Sequence, residues 1–108
     1  MNKKNRIYLK ISPDFFEREV IQNVLNLPEG GKILVLYLRL LAIAVKTNGY
    51  IRYDHIGRTP VEEIASYLKE DKKDMLYTVE MLQRHHLLEE TEDGSYYLPD
   101  AIKMMGRR

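Results

Sequence analysis

The sequence predicts a mainly α-helical fold with a small β-hairpin near its end. Three observations lead to this prediction: one strongly apolar stretch, a pair of amphipathic stretches with clear helix starts, and an Asp-Gly dipeptide between two short apolar runs. Two short helices joined by a tight turn and followed at once by a hairpin have the order of a winged helix-turn-helix. We expect this domain to span residues 1–99, with residues 100–108 as a tail, the start of a linker or another helix.

The apolar stretch KILVLYLRLLAIAVK, residues 32–46, predicts the helix at the centre of the core. Arg39 is the only charge between Ile33 and Val45, so a helix here is apolar nearly all round and should be buried. The following Asn48-Gly49 predicts a left-handed C-terminal cap. The stretch is shorter than the roughly 20 apolar residues that cross a bilayer, so we expect a core helix and no membrane span.

Upstream of this stretch, the chain predicts a short strand and an amphipathic helix. Residues 7–11 alternate apolar and polar side chains, as a strand does. Ser12 is a suitable N-cap, and Pro13 occupies the first helical position. We predict that the helix runs to about Asn26. Its expected apolar face consists of Phe15, Phe16, Val20, Ile21, Val24, Leu25 and Leu27.

The helix pair lies downstream, after a brief strand at residues 50–53 and a loop. Thr59 is the predicted N-cap of the first helix, and Glu62 completes a capping box. Asp71 caps the second helix, which we expect to span residues 72–85. The expected core residues of the first helix are Ile64, Ala65 and Leu68, bordered by Tyr67. Those of the second are Met75, Val79 and Leu82, with Leu76 and Met81 widening the stripe.

The hairpin is predicted by two short runs, residues 87–91 and 96–98, that are joined through Glu92-Asp93-Gly94-Ser95. Asp-Gly between such runs is the strongest short hairpin signal. The hairpin is also acidic, because it carries Glu89 and Glu90 in addition to Glu92 and Asp93. Phosphate repels such a hairpin, so we expect that it does not follow a nucleic-acid backbone.

Composition limits the possible functions. The chain has 108 residues and no cysteine, so it can close one core but cannot form a disulfide, which fits a reducing compartment. No apolar targeting segment follows the basic start, so we expect a cytoplasmic protein. The formal net charge of +1 gives little support to nucleic-acid binding, and that function must rest on where the charges lie.

Four segments carry a resemblance to a known family. They are Asp14-Phe15-Phe16, the leucine-rich helix ending in Asn48-Gly49-Tyr50-Ile51, Val61-Glu62-Glu63-Ile64-Ala65, and Val79 to Leu82 leading into Leu87-Leu88-Glu89. In this order they resemble the N-terminal domain of phage replisome organizer proteins, winged-helix replication-initiation proteins with DnaD-like relatives. The resemblance covers nearly the whole chain.

The resemblance implies a module of a phage or prophage replication initiator that recognises double-stranded origin DNA in the bacterial host cell. It further implies that the protein helps to recruit the host helicase loader or helicase. Proteins of this type usually continue into a C-terminal region, so we expect recruitment to depend on residues beyond Arg108. A homodimer is expected, since two recognition helices on two half-sites multiply affinity.

Candidate DNA contacts lie on the second helix of the pair and at basic sites elsewhere. Lysine can neutralise phosphate or donate to guanine, tyrosine can contact phosphate or a thymine methyl, and Glu80 could accept from cytosine or repel the backbone. The predicted site residues are Lys72, Lys73, Tyr77 and Arg84 on the helix, and Lys3, Lys4, Arg6 and Arg58 outside it. Further basic residues are Arg52, Lys103, Arg107 and Arg108.

Catalysis and metal binding have little support in the sequence. No nucleophile elbow surrounds any serine, and the adjacent His85 and His86 would point about 100° apart on a helix, so they cannot chelate one ion. Histidine near the last helical turn instead complements the helix dipole, and His55 lies in a loop. We therefore expect no enzyme activity, cofactor or metal.

Two other functions stay open. A winged helix can serve oligomerisation or docking in a replisome, as DnaD-like proteins suggest by analogy, and the acidic hairpin and near-neutral charge favour this function. Tyrosines that could line such an interface are Tyr8, Tyr50, Tyr53, Tyr96 and Tyr97. A transcriptional regulator of the same fold is the other possibility.

Overall fold

The computed structural model describes residues 6–107, which form the predicted mainly α-helical fold with small antiparallel sheets. The helices are α1 (Glu19–Leu25), α2 (Gly30–Ala44), α3 (Pro60–Leu68), α4 (Lys72–Arg84) and α5 (Pro99–Lys103). The strands are β1 (Ile7–Leu9), β2 (Tyr50–Ile51), β3 (Glu89–Glu90), β4 (Tyr96–Tyr97) and β5 (Met105–Arg107). Two 3-10 turns, Pro13–Glu17 and Val45–Thr47, precede α1 and follow α2.

Helix α2 forms the centre of the core, as its sequence predicts. The side chains of Ile33, Leu36, Tyr37, Leu40 and Leu41 are at most 1% exposed. The helix begins at Gly30, two residues before the predicted start, because the two glycines form its first turn. Its C-terminal side ends as predicted, with Asn48 and Gly49 at positive φ and the Gly49 N–H donating to the Ala44 carbonyl at 2.8 Å.

The predicted helix from Pro13 to Asn26 is wrong as a single element. Arg18 has an extended backbone (φ −62°, ψ 138°) and separates the 3-10 turn from α1. The break directs the Arg18 guanidinium to Asp100 Oδ2, 3.0 Å away, and places it 5.8 Å from the centre of the Phe15 ring. Ile21 and Val24 are fully buried as predicted, whereas Phe16 is 42% exposed and packs edge-on against Phe15.

Helices α3 and α4 form the predicted pair. Thr59 and Glu62 make a complete capping box, and the Asp71 carboxylate caps α4. Between the helices Lys69 takes a left-handed conformation with φ 58°, which turns the chain. The predicted buried stripe of α4 is confirmed, since Met75, Val79 and Leu82 are at most 3% exposed. Two expectations are wrong: Leu76 is 47% exposed and Tyr67 is 74% exposed.

The hairpin after α4 is confirmed. Strands β3 and β4 are antiparallel, and β2 adds to the other edge of β4, giving the order β2-β4-β3. Tyr97 pairs with Glu89 on one side and Tyr50 on the other. The turn closes through the Thr91 N–H, which donates to the Ser95 carbonyl at 2.8 Å, and Gly94 takes a φ of 88° there.

The segment expected to be a tail is folded over its described part, residues 100–107. Of the alternatives that the sequence left open, another helix is what forms, namely α5, and β5 then pairs antiparallel with β1. Ala101 and Asp100 are buried against the core. The two ends of the described chain therefore meet, with Ile7 opposite Arg107.

A buried polar network joins these elements. The Tyr37 hydroxyl, on a side chain that is 0% exposed, donates to Asp100 Oδ2 at 2.5 Å, and Arg18 reaches the same oxygen. Asp100 thereby connects α2, α5 and the break before α1. Burial and the hydrogen bond to Asp100 raise the pKa of Tyr37 far above its usual range, and burial does the same for Tyr96.

We expect the stability of the domain to fall steeply above about pH 10. There the unfolded chain loses tyrosine protons that Tyr37 and Tyr96 keep when folded, so rising pH favours unfolding by up to about 1.4 kcal/mol per pH unit for each tyrosine. Urea unfolding between pH 8 and pH 11 measures this slope. In Tyr37→Phe the decrease of the free energy of unfolding per pH unit should be smaller, because only Tyr96 then contributes. An unchanged slope in the variant would contradict the burial argument.

Candidate nucleic-acid interface

The start of α4 is held in place by polar contacts from α2. The Lys32 ammonium lies 2.5 Å from Asp74 Oδ2 in the first turn of α4. Arg39 forms an ion pair with Glu70 in the turn between α3 and α4 and donates to the Leu68 carbonyl at 3.0 Å. These contacts connect the turn of the helix pair to α2, while the buried stripe of Met75, Val79 and Leu82 sets the direction of α4.

Arg39 is a positioning residue that the sequence analysis did not identify. The available signal was its position as the only charge in an otherwise apolar stretch. A charge in such a stretch is expected to extend to the edge of the helix and meet a partner there, and the Arg39 side chain is 40% exposed. The partner lies 31 residues downstream in the chain, at Glu70, so local sequence does not reveal it.

An exposed strip runs along α4 and begins with the two predicted lysines. It consists of Lys72, Lys73, Leu76, Glu80 and Arg84, all of them exposed. Residues four apart lie on the same side of a helix, so positions 72, 76, 80 and 84 form one line. The strip combines positive charge at the helix start with one apolar and one acidic position further along.

Lys72 is solvent-exposed but has an acidic neighbour. Its ammonium lies 3.6 Å from Glu62 Oε2, and its side chain remains 72% exposed. The Thr59 backbone N–H and Lys72 together hold the pKa of Glu62 below its usual range, so Glu62 is ionised at neutral pH. An exposed ion pair of this kind contributes little free energy, and a phosphate can replace the carboxylate as the partner of the lysine.

Tyr77 departs from the prediction, because it does not extend freely from α4. Its ring is half-buried and packs against the core, and its hydroxyl donates to the Pro28 carbonyl at 3.0 Å. The residue thereby ties α4 to the turn between α1 and α2. Leu76, which the pattern assigned to the core, is the neighbouring side chain that reaches solvent.

The basic residues outside α4 are spread over several parts of the surface. Arg58 lines the same shallow cleft as Lys72, together with Gly57 and Glu62, so the loop before α3 joins the exposed strip. Arg6 precedes β1 and Arg107 ends β5, and both are exposed. The pairing of β1 with β5 brings these two arginines to one end of that sheet. Also exposed are Arg52 and Lys103. Lys3, Lys4 and Arg108 lie outside the described residues.

The hairpin is negatively charged, as the sequence predicts. Glu89, Glu90 and Glu92 are exposed, and β3 forms an edge of its sheet. The Thr91 hydroxyl and the Ser95 N–H, 3.1 Å away, hold the pKa of Asp93 below its usual range. Asp93 therefore stays ionised at neutral pH and adds to the acidic character of the hairpin, which would repel a phosphate backbone.

The tyrosines do not form one continuous face. Tyr96 is buried, while Tyr50 stacks on Tyr97 with ring centres 4.7 Å apart. Tyr50 and Tyr67 line an apolar groove between the end of α2, β2 and α3. Tyr53 stacks on His55 instead, with ring centres 3.9 Å apart. Tyr8 is 37% exposed and lies on β1.

Neither a metal cluster nor a membrane span is found in the part of the chain that the structure describes. No three His, Asp or Glu side chains among residues 6–107 are grouped so as to hold a metal ion. None of the helices there is both long and apolar enough to cross a bilayer.

Comparison with known proteins identifies a family. A family model described as the N-terminal phage replisome organiser matches residues 8–107. No curated protein and no solved structure matches. The matched segment contains α3, α4 and the hairpin and continues through α5 and β5. The last helix and strand, which the sequence analysis placed outside the domain, therefore lie within the segment that the family shares.

Proposed function

The chain belongs to the N-terminal phage replisome organiser family, and from this premise we propose that it is the DNA-binding module of a replication initiator that recognises origin DNA. The family supports a role in phage replication. The observation that favours DNA as the ligand is the exposed strip of α4, which has Lys72 and Lys73 in its first turn. Ion pairs from Lys32 and Arg39 connect the start of this helix to α2. The chain acts as a binding module without catalysis, in the cytoplasm of the bacterial host.

The chemistry of the strip suits the major groove. The first turn of a recognition helix lies nearest the bases and the phosphates. In α4 the Asp71 carboxylate already accepts hydrogen bonds from the Lys73 and Asp74 N–H groups, so attraction for phosphate comes from the lysine side chains. Two lysines add full charges at the same end of α4, and Arg58 lies beside Lys72. The acidic hairpin repels phosphate, so contacts to a DNA backbone would have to come from α4 and the loop before α3 and not from the hairpin.

The test is a binding measurement with Lys72→Ala/Lys73→Ala. The probes are a duplex enriched by the 108-residue chain from a random-sequence pool and a scrambled duplex of equal composition, titrated across a salt series. We expect the enriched duplex to bind about tenfold more weakly to the variant. The slope of log affinity against log salt should become shallower by about 2, since each phosphate contact contributes about 0.9.

The matched control is Lys10→Ala/Lys46→Ala, which removes the same charge from two exposed lysines outside the helix pair. This control should keep the wild-type preference for the enriched duplex. Equal losses in both variants would mean that only net charge matters, which contradicts recognition through α4. If the chain enriches no sequence at all, the proposed function fails.

A second candidate function is favoured by one observation, the apolar groove lined by Tyr50 and Tyr67. An exposed tyrosine pair beside Ile43 and Ile64 is typical of a protein interface. The groove could serve homodimerisation or contact with the host helicase loader or helicase. Sedimentation of wild type and Tyr67→Ala separates these uses: self-association lost in the variant supports a dimer through this groove, and an unchanged monomer excludes it.

A further inference from the structure

Leu76 is an exposed leucine at a position where the helical pattern calls for a core residue. The core of α4 is complete without it, since Met75, Val79 and Leu82 are at most 3% exposed while Leu76 is 47% exposed. The remaining members of the strip are all charged. An apolar side chain among these charges, in the first half of a candidate recognition helix, can make an apolar contact that charged side chains cannot make.

Leu76 is part of a shallow apolar cleft. The cleft lies between the first turns of α3 and α4, and Pro60, Val61 and Leu76 supply its apolar surface. Its polar lining consists of Thr59, Glu62, Lys72 and Lys73. Val61 packs on the core behind the cleft, so two helices supply its apolar surface. The cleft therefore presents a small apolar surface next to two lysines, one of which is paired with the Glu62 carboxylate.

The base edges of the major groove offer one apolar group, the C5-methyl of thymine. Leu76 lies one helical turn beyond Lys72, about 6 Å along the helix axis. If the two lysines bind phosphates, Leu76 is the next side chain along the strip and faces the base edges. We propose that Leu76 is a specificity-determining residue that contacts a thymine methyl in the target duplex, an inference that rests on the proposed function. The cleft formed with Pro60 and Val61 receives that methyl.

The experiment removes the methyl without changing base pairing. In the duplex enriched from a random-sequence pool, each thymidine is replaced in turn by deoxyuridine, and affinities are measured for the wild-type chain and Leu76→Ala. At one position or two adjacent positions, we expect the wild type to bind about fourfold more weakly after replacement, which is the effect of one buried methyl. Leu76→Ala should bind the unmodified duplex more weakly and show no loss at those positions.

The control variant is Ile102→Ala, which shortens an apolar side chain of similar exposure, 44%, on α5. It should keep the wild-type sensitivity to deoxyuridine. The inference is overturned if no thymidine is sensitive, or if Leu76→Ala is as sensitive as the wild type, while specific DNA binding persists. Failure to enrich any duplex overturns the inference together with the proposed function, and this result is distinct from the first two.

Discussion

Asp100→Ala is expected to lower the free energy of unfolding by about 3 kcal/mol, the largest loss that we anticipate from one polar side chain of this protein. The carboxylate is 4% exposed and accepts hydrogen bonds from Tyr37 and Arg18. Its removal leaves the Tyr37 hydroxyl without a partner at a fully buried position. It also leaves the Arg18 guanidinium without its counterion, although partial exposure lets water compensate for part of that loss.

Urea denaturation followed by circular dichroism measures the effect. Glu92→Ala is the control, since it removes an exposed carboxylate from the hairpin and should change the free energy by less than about 0.5 kcal/mol. Tyr37→Phe should lose about 1–2 kcal/mol, because it removes one hydrogen bond of Asp100 and keeps the ring. Loss of less than 1 kcal/mol in Asp100→Ala would show that the network does not hold α5 to the core.

Gly30→Ala and Gly31→Ala are expected to have opposite effects although the two glycines are adjacent. A Cβ on Gly30 would lie 2.5 Å from the Val24 carbonyl oxygen and closer still to that of Leu25. Both atoms belong to the backbone at the end of α1, so the clash moves α1 relative to α2 and should cost about 3 kcal/mol. A Cβ on Gly31 meets nothing within 4 Å, and alanine there should stabilise the first turn of α2 by about 0.5 kcal/mol.

Thermal and urea unfolding of both variants checks this pair, and each variant serves as the control for the other. Similar destabilisation of the two would mean that glycine is needed at the start of α2 for its backbone freedom. Similar tolerance would mean that α1 can shift without cost. Only the predicted opposite signs identify close backbone approach between α1 and α2 as the reason for Gly30.

For the candidate site, the sequence predicted the position of α4 in the chain and the exposure of Lys72 and Lys73. The reason is that a capped amphipathic helix defines its own buried and exposed sides. It assigned the neighbours Leu76 and Tyr77 the wrong way round. Both lie at the border of the buried stripe, and the turn at Pro28, 49 residues away, decides which of them is covered.

What the sequence determined by itself is the set of features that depend on residues close together in the chain. The Thr59 capping box, the Asp71 cap, the Asn48-Gly49 helix end and the Asp-Gly hairpin each need only a few adjacent residues, and all of them form.

Tertiary structure alone decided the features whose partners are distant in the chain. The break at Arg18 depends on Asp100, 82 residues away, and β5 forms because β1 offers it an edge. The ion pair between Arg39 and Glu70 likewise joins residues that are distant in the chain. Local propensity cannot report such contacts, because they exist only once α2 has brought these segments together.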